Sequence, residues 1–236
     1  ADDGISHRVW RVDDQTLIAQ ISDVFATMPA LYIADGHHRS AAAARVAARR
    51  QAAGTPSTSA DHFLAVIFPA AQMLIMDYNR VVRDLNGLPA DAFLDEVRKR
   101  YVVESSDGPL KPDRLGVCGM YLDRRWYRLT VREERVPVAD PVRRLDVSLL
   151  AEQILTPLLD IVDLRRDTRI DFVGGMRGLA ELERRVDSGE MRVAFAMYPT
   201  PMSELIAVAD SGQVMPPKST WFEPKLADGL VSHVLD

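Results

Sequence analysis

Cysteine is almost missing from this chain. Cys118 is the only one in 236 residues, which rules out an internal disulfide or a cysteine-ligated metal cluster and fits a reducing, cytoplasmic setting. It lies in the apolar run 115–122, where a buried packing role is expected. No run approaches the roughly eighteen apolar residues that a membrane span needs, and no signal peptide opens the chain, so a soluble protein is expected. Basic surplus is missing too: at a net charge of -5, a dedicated DNA-binding surface is not expected. The chain has no GxxxxGK[ST] phosphate loop, no GxGxxG turn and no HExxH helix, and it shows neither internal repeats nor heptads nor low-complexity tracts. An initiating methionine is also absent, and residues 1–10 read as entry in mid-domain.

What is present is enough apolar material, 47% of residues, for a sizeable core. The alternation of strand-like and helix-like stretches predicts an α/β fold, a mixed sheet with flanking helices, as one compact unit over 1–236. Its weakest seam is expected near Pro141, between a 1–140 part and a 146–236 part. In chain order the pattern predicts a strand at 9–12, then a helix at 14–28 whose Leu17, Ile18, Ile21, Val24 and Phe25 pack on the sheet. A strand ending at 32–34, an alanine-rich helix at 41–50, a surface loop at 51–61, a central strand at 63–68 and a strand at 73–82 follow. A helix at 90–101 turns Phe93, Leu94 and Val97 inward, and strands 117–122 and 126–131 form a hairpin. Asp146 is expected to cap a helix that Pro157 bends or ends. Beyond it come a strand at 170–173, a helix at 179–186, a strand at 193–198 and a helix at 201–210.

The chemistry concentrates at Asp35-Gly-His-His-Arg39-Ser40, between the strand ending at 34 and the alanine-rich helix. The first amides of a helix have no partner within it, and its dipole places partial positive charge there, so His37 and His38 would present N–H groups to an anion. Arg39 can grip a phosphate or carboxylate with two parallel bonds, and Asp35 can hold a metal or accept a proton. The same residues also admit plainer roles: Asp35 as a helix cap, one histidine turned into the core, Arg39 paired with a surface carboxylate. Asn79 and Arg80 emerge from the 73–82 strand as candidate substrate ligands, through an amide and a guanidinium. His7 can approach from the first strand or lie partly exposed. Gly174-Gly175 is either a second phosphate-approach turn or a tight connection. The segment 215–225 packs three prolines, Lys218, Ser219, Thr220 and Lys225 around Trp221 and Phe222. It reads equally as an anion-binding lid and as a strap whose aromatics plug the core.

Asp35-Gly-His-His-Arg39 followed by a small residue and an alanine-rich helix resembles the signature turn of the ParB/sulfiredoxin-like superfamily. Its form is closest to the free serine kinases, and it also marks a bacterial domain-of-unknown-function family, number ten-fifteen, often labelled ParB-like. Tyr78-Asn-Arg-Val-Val82 and Met215-Pro-Pro-Lys-Ser-Thr-Trp-Phe-Glu-Pro-Lys225 match that family as well, so that resemblance spans nearly the whole chain. Members usually carry a further N-terminal region, and a processed or truncated chain is expected here. His37 stands where sulfiredoxin-type enzymes carry cysteine, which removes that reaction.

The resemblance implies a ParB/sulfiredoxin-like core and three classes of function. The first is a phosphotransferase that moves phosphate from ATP or ADP, with Mg²⁺, to a small hydroxylated metabolite such as free serine. In it Gly36, His37, His38, Arg39, Ser40, Lys218, Ser219 and Thr220 hold the nucleotide. Asn79, Arg80 and Lys225 hold the metabolite, and Asp35, His37 and His38 serve catalysis, Asp35 also as the metal ligand. The second is a CTP-type nucleotide-binding regulatory or partner module without catalysis. The third, a metal-dependent hydrolase on Asp35, His37 and His38, is weakened because adjacent histidines do not share a helix face.

Overall fold

A computed structural model describes residue 4, residues 6–227 and residues 229–235. The chain divides into two compact units, one formed by residues 1–69 and 224–236 and the other by residues 70–223, so residue 141 lies inside the second.

Among its described residues the first unit contains two helices. α1, Gln15–Ala26, begins at Asp14, whose carboxylate accepts from the amides of Thr16 at 2.8 Å and Leu17 at 3.3 Å. α2, His37–Ala52, is the alanine-rich helix, four residues longer at its start than its alanines indicate, with Arg49 and Arg50 in its last turn. Residues 9–12, 32–34 and 63–68 were expected as strands, yet none is one, and among the described residues no ladder forms in this unit. A strand exists only by pairing its N–H and C=O groups with a neighbour, and apolar composition cannot supply the neighbour. Among its described residues this unit therefore offers α1 no sheet of its own, and Leu17, Ile18, Ile21 and Val24 are exposed.

The second unit holds eight strands. The 73–82 stretch is two strands rather than one, β1 at Leu74–Met76 and β2 at Tyr78–Val82, parted at Asp77. β3 (Tyr101–Ser106), β4 (Val117–Leu122), β5 (Arg125–Val131), β6 (Ile170–Gly174) and β7 (Val193–Ala196) join β2 in a six-stranded sheet ordered β3-β5-β4-β7-β2-β6. Every pairing in it is antiparallel. β8, Trp221–Glu223, pairs separately with β1.

Side-chain alternation along the strands builds two cores, one on each face of the large sheet. Val82, Met120 and Phe195 face α3 (Ala90–Arg98), whose Phe93 and Val97 are fully buried at about 2 kcal/mol apiece. Val81, Tyr121 and Ala194 lie in the other core, with Leu182 and Val186 of a later helix. The first core also takes in a helical run with three parts, α4 (Asp146–Leu150), a π-helical segment (Ala151–Leu155) and α5 (Thr156–Leu159). Pro157 has no N–H for the carbonyl four residues back, and the helix widens ahead of it, so that the Thr156 amide donates to Ala151 O. Asp146 is not the cap: Leu145 is, while the Asp146 carboxylate accepts from the Gly116 amide at 2.9 Å. α6 (Gly178–Asp187) and α7 (Met202–Asp210) complete the unit. The 90–101 helix ends at Arg98 because Tyr101 starts β3, where it pairs with Val131.

Candidate functional site

The first candidate site is the 35–40 turn, described within the first unit. Gly36 holds φ +87° and ψ 22°, a left-handed conformation that glycine adopts without a Cβ penalty, and it caps α2 with no side-chain bond. The first bond of the helix runs from Ser40 N to Gly36 O at 3.0 Å, and Ser40 Oγ reaches the same oxygen at 3.1 Å. The amides of His37, His38 and Arg39 therefore stand free of acceptors among the described residues. Arg39 lies back over Gly36, its guanidinium only 3.4 Å from where a Cβ would be, and it forms no ion pair with a described carboxylate. His37, His38 and Arg39 are all exposed, so neither histidine serves the core.

Asp35 has both oxygens engaged. Oδ1 accepts from Gly36 N at 2.7 Å and Oδ2 meets Lys225 Nζ at 2.8 Å. The Lys225 ammonium holds the Asp35 carboxyl below the usual carboxylate range; partial burial opposes this, and the Gly36 amide and Arg39 reinforce it. No cluster of three histidine, cysteine, aspartate or glutamate side chains fit to hold a metal occurs among the described residues. Mg²⁺ takes about six oxygens, most of them from water and phosphates, so a lone carboxylate such as Asp35 fits a nucleotide-carried ion and not a cage built by the protein.

The second candidate site lies within the second unit. Arg80 was expected to emerge from its strand; instead it is 1% exposed, while Asn79 on the opposite face is fully buried. Asn79 is committed to structure: Nδ2 donates to Asp77 Oδ2 at 2.6 Å and Oδ1 accepts from Met197 N at 2.8 Å. Arg80 donates to the carbonyls of Tyr78 and of Lys218, the latter at 3.0 Å, and its guanidinium lies 5.7 Å from the Phe172 ring centre. Burial pulls it down to about 10. Lys218 Nζ lies 3.3 Å from Tyr78 Oη and 5.5 Å from the Tyr78 ring. Ser219 is buried and donates to Pro216 O at 2.7 Å, while Thr200 donates to Ser219 O at 3.2 Å. Thr220 makes no side-chain hydrogen bond among the described residues. Phe222 is 3% exposed and β8 is hydrogen-bonded, so the 215–225 segment is a strap that also presents Lys218.

Sequence reasoning did not count Tyr78 or Phe172 as site residues and gave Trp221 only a packing role; Lys218 lies over Tyr78 and Phe172, which stack at 5.8 Å, and Trp221 is tilted 5.5 Å from Tyr78. An aromatic at the first position of a strand that also carries a charged inward residue was the available signal. Gly174 and Gly175 are accounted for by close packing. A Cβ at 174 would stand 3.0 Å from the Trp221 ring, and one at 175 would stand 2.3 Å from Asp77 Oδ1.

Residues 1–148 match the family model described as "Protein of unknown function (DUF1015)". A search of curated proteins returned no match. Among solved structures, a free serine kinase mutant in complex with AMP is 15% identical over 90% of this chain and 81% of that one, with a TM-score of 0.45. A free serine kinase mutant in complex with ADP is 16% identical over 90% and 81%, with a TM-score of 0.43. A conserved hypothetical protein from Pyrococcus furiosus is 15% identical over 90% and 84%, with a TM-score of 0.44. Each is a likeness and assigns no residue a role here. No helix among the described residues is long and apolar enough to cross a membrane.

Proposed function

We propose, for a chain that belongs to the family described as protein of unknown function (DUF1015), a nucleotide-dependent phosphotransferase whose phosphate-holding element is the 35–40 turn. The observation that carries this reading is the three amides of His37, His38 and Arg39, free of acceptors among the described residues, behind a left-handed Gly36, with an exposed guanidinium that forms no ion pair with a described carboxylate. Such a turn offers convergent donors and positive charge to phosphate oxygens, at the start of a sixteen-residue helix. The resemblance of Asp35-Gly-His-His-Arg39 to the free serine kinase turn, within a ParB/sulfiredoxin-like core, supports ATP or ADP as donor and a small hydroxylated metabolite, free serine foremost, as acceptor.

In the transfer, the acceptor hydroxyl oxygen attacks the terminal phosphorus of the nucleotide. The bond from that phosphorus to its bridging oxygen breaks, and the bridging oxygen leaves with the shortened nucleotide. His37 or His38 takes the hydroxyl proton, while Arg39 and the free amides meet the charge on the equatorial oxygens. Asp35, kept anionic by Lys225, fixes the turn through its bond to Gly36 N. Mg²⁺, held chiefly by the nucleotide's own phosphates, would neutralise their charge, with Asp35 as its candidate protein ligand.

A second reading draws on the two bonds of Asp35: with that carboxylate engaged by Gly36 N and Lys225, the site suits a module that binds ATP, ADP or CTP without turnover. A metal-dependent hydrolase has the least support, for want of a three-donor cluster among the described residues. A phosphorus NMR time course with Mg²⁺ and each nucleotide, with and without serine, separates these. A serine-dependent phosphomonoester signal supports transfer, broadened nucleotide signals without turnover support the binding module, and unperturbed signals refute both.

A further inference from the structure

Arg80 is a buried cation without an anion. Its Nη atoms reach only backbone carbonyls, its Nε has no acceptor, and no described aspartate or glutamate pairs with it. Carbonyl dipoles compensate a buried charge less than a carboxylate does. A second cation lies against the same aromatic pair. Lys218 Nζ lies 5.5 Å from the Tyr78 ring centre and 6.0 Å from that of Phe172, and it too lacks a described carboxylate partner.

The backbone goes to some trouble to put it there. Lys218 holds φ +59°, which a side chain with a Cβ adopts at a cost. What pins it is the bond from Arg80 Nη2 to its carbonyl, together with the Ser219 bond to Pro216 O. Asp77, the acid nearest in sequence, is turned toward Asn79 and Gly175 instead.

We propose that Lys218 and Tyr78, backed by the charge of Arg80, form a binding site for a small oxyanion, a carboxylate or a phosphate, within the second unit. Lys218 Nζ spends one N–H on Tyr78 Oη, which leaves two N–H donors and the phenol O–H to converge on a ligand. Donors outnumber acceptors there and carry positive charge, which favours an anion over a neutral polar group. Like charges sharing one apolar platform repel, and an oxyanion at Nζ removes that repulsion. The Trp221 ring, packed against Gly174 and 5.5 Å from Tyr78, walls the site and reports on it.

The Lys218 site belongs to the second unit and the phosphate turn to the first, and the experiment tests them separately. The full chain is titrated with inorganic phosphate and, separately, with acetate, following tryptophan fluorescence and binding heat, in Arg39→Ala and otherwise unaltered backgrounds. The expected result is saturable binding of at least one probe in both backgrounds, weakened about tenfold or more by Lys218→Met. Tyr78→Phe, which keeps the ring and removes the O–H, should weaken it less, with both variants melting as their parents do. Saturation by acetate alone identifies a carboxylate site and by phosphate alone a phosphate site. Binding indifferent to Lys218→Met, binding lost in Arg39→Ala, or no saturable binding of either probe overturns the proposal.

Discussion

Asp146 makes the sharpest quantitative prediction. One carboxylate oxygen accepts from the Gly116 amide, while the other is buried with no donor. Burial pushes the carboxyl from its ordinary 3.8 up to about 6; the Gly116 bond opposes this and Glu204 adds to it. The sign follows from proton binding. Between those two values the folded chain keeps a proton that the unfolded chain has lost, so stability falls as pH rises, at ~1.4 kcal/mol per pH unit. Above about pH 6 the penalty levels off at about 3 kcal/mol. Asp146→Asn removes the titration. Its amide incurs some fixed cost of its own by placing N–H donors where an unpartnered oxygen stood, but that cost does not depend on pH. The quantity to measure is therefore the stability of the variant minus that of the parent, by urea unfolding from about pH 4 to about pH 8. It should rise by up to about 3 kcal/mol in favour of asparagine and then plateau. A difference that stays flat across that range refutes a buried, ionising Asp146.

Arg39→Ala should abolish nucleotide binding in calorimetry while shifting the melting temperature little, because Arg39 is exposed and pairs with no described carboxylate; unchanged binding would sink the turn as a phosphate holder. Gly175→Ala forces a Cβ to 2.3 Å from Asp77 Oδ1 and 3.0 Å from its carbonyl, and should destabilise the second unit by about 1–3 kcal/mol in denaturant unfolding. An unaltered midpoint would show that the contact relaxes freely. Lys225→Met should let the Asp35 carboxyl rise toward the ordinary range in a carbon NMR titration, yet change global stability by less than about 1 kcal/mol, since both side chains are roughly half exposed. No movement of the Asp35 titration would refute the pairing.

Helices and the hairpin were legible in the sequence because their signals are local. Asp14 before α1, the alanine run of α2 and the inward trio Phe93, Leu94 and Val97 each need only a few neighbouring residues to be read. Strand identity was not local. Residues 63–68 and 101–106 both carry strand formers, but only the second has a strand partner, in which Tyr101 pairs with Val131 and Ser106 with Trp126, well beyond any local window of sequence. The same limit governs the sites. The 35–40 turn is contiguous, so its residues could be named together, and Lys225 joins them only through folding. Arg80 was recognised as a candidate and given the wrong surroundings, because its burial depends on Phe172 and Lys218, neither of which is near it in the chain.

The pairing of β1 with β8 joins the beginning of the second unit to its end, so that unit is in effect a loop whose two stems are stitched together. During synthesis the ribosome must deliver all of it before Lys225 emerges to meet Asp35, 190 residues upstream. A chain that stalls before that point carries the six-stranded sheet and an Asp35 still waiting for its lysine. The stitched stems also make residues 70–223 a natural cassette, one that can be lifted out and expressed by itself to hold the Lys218 site alone.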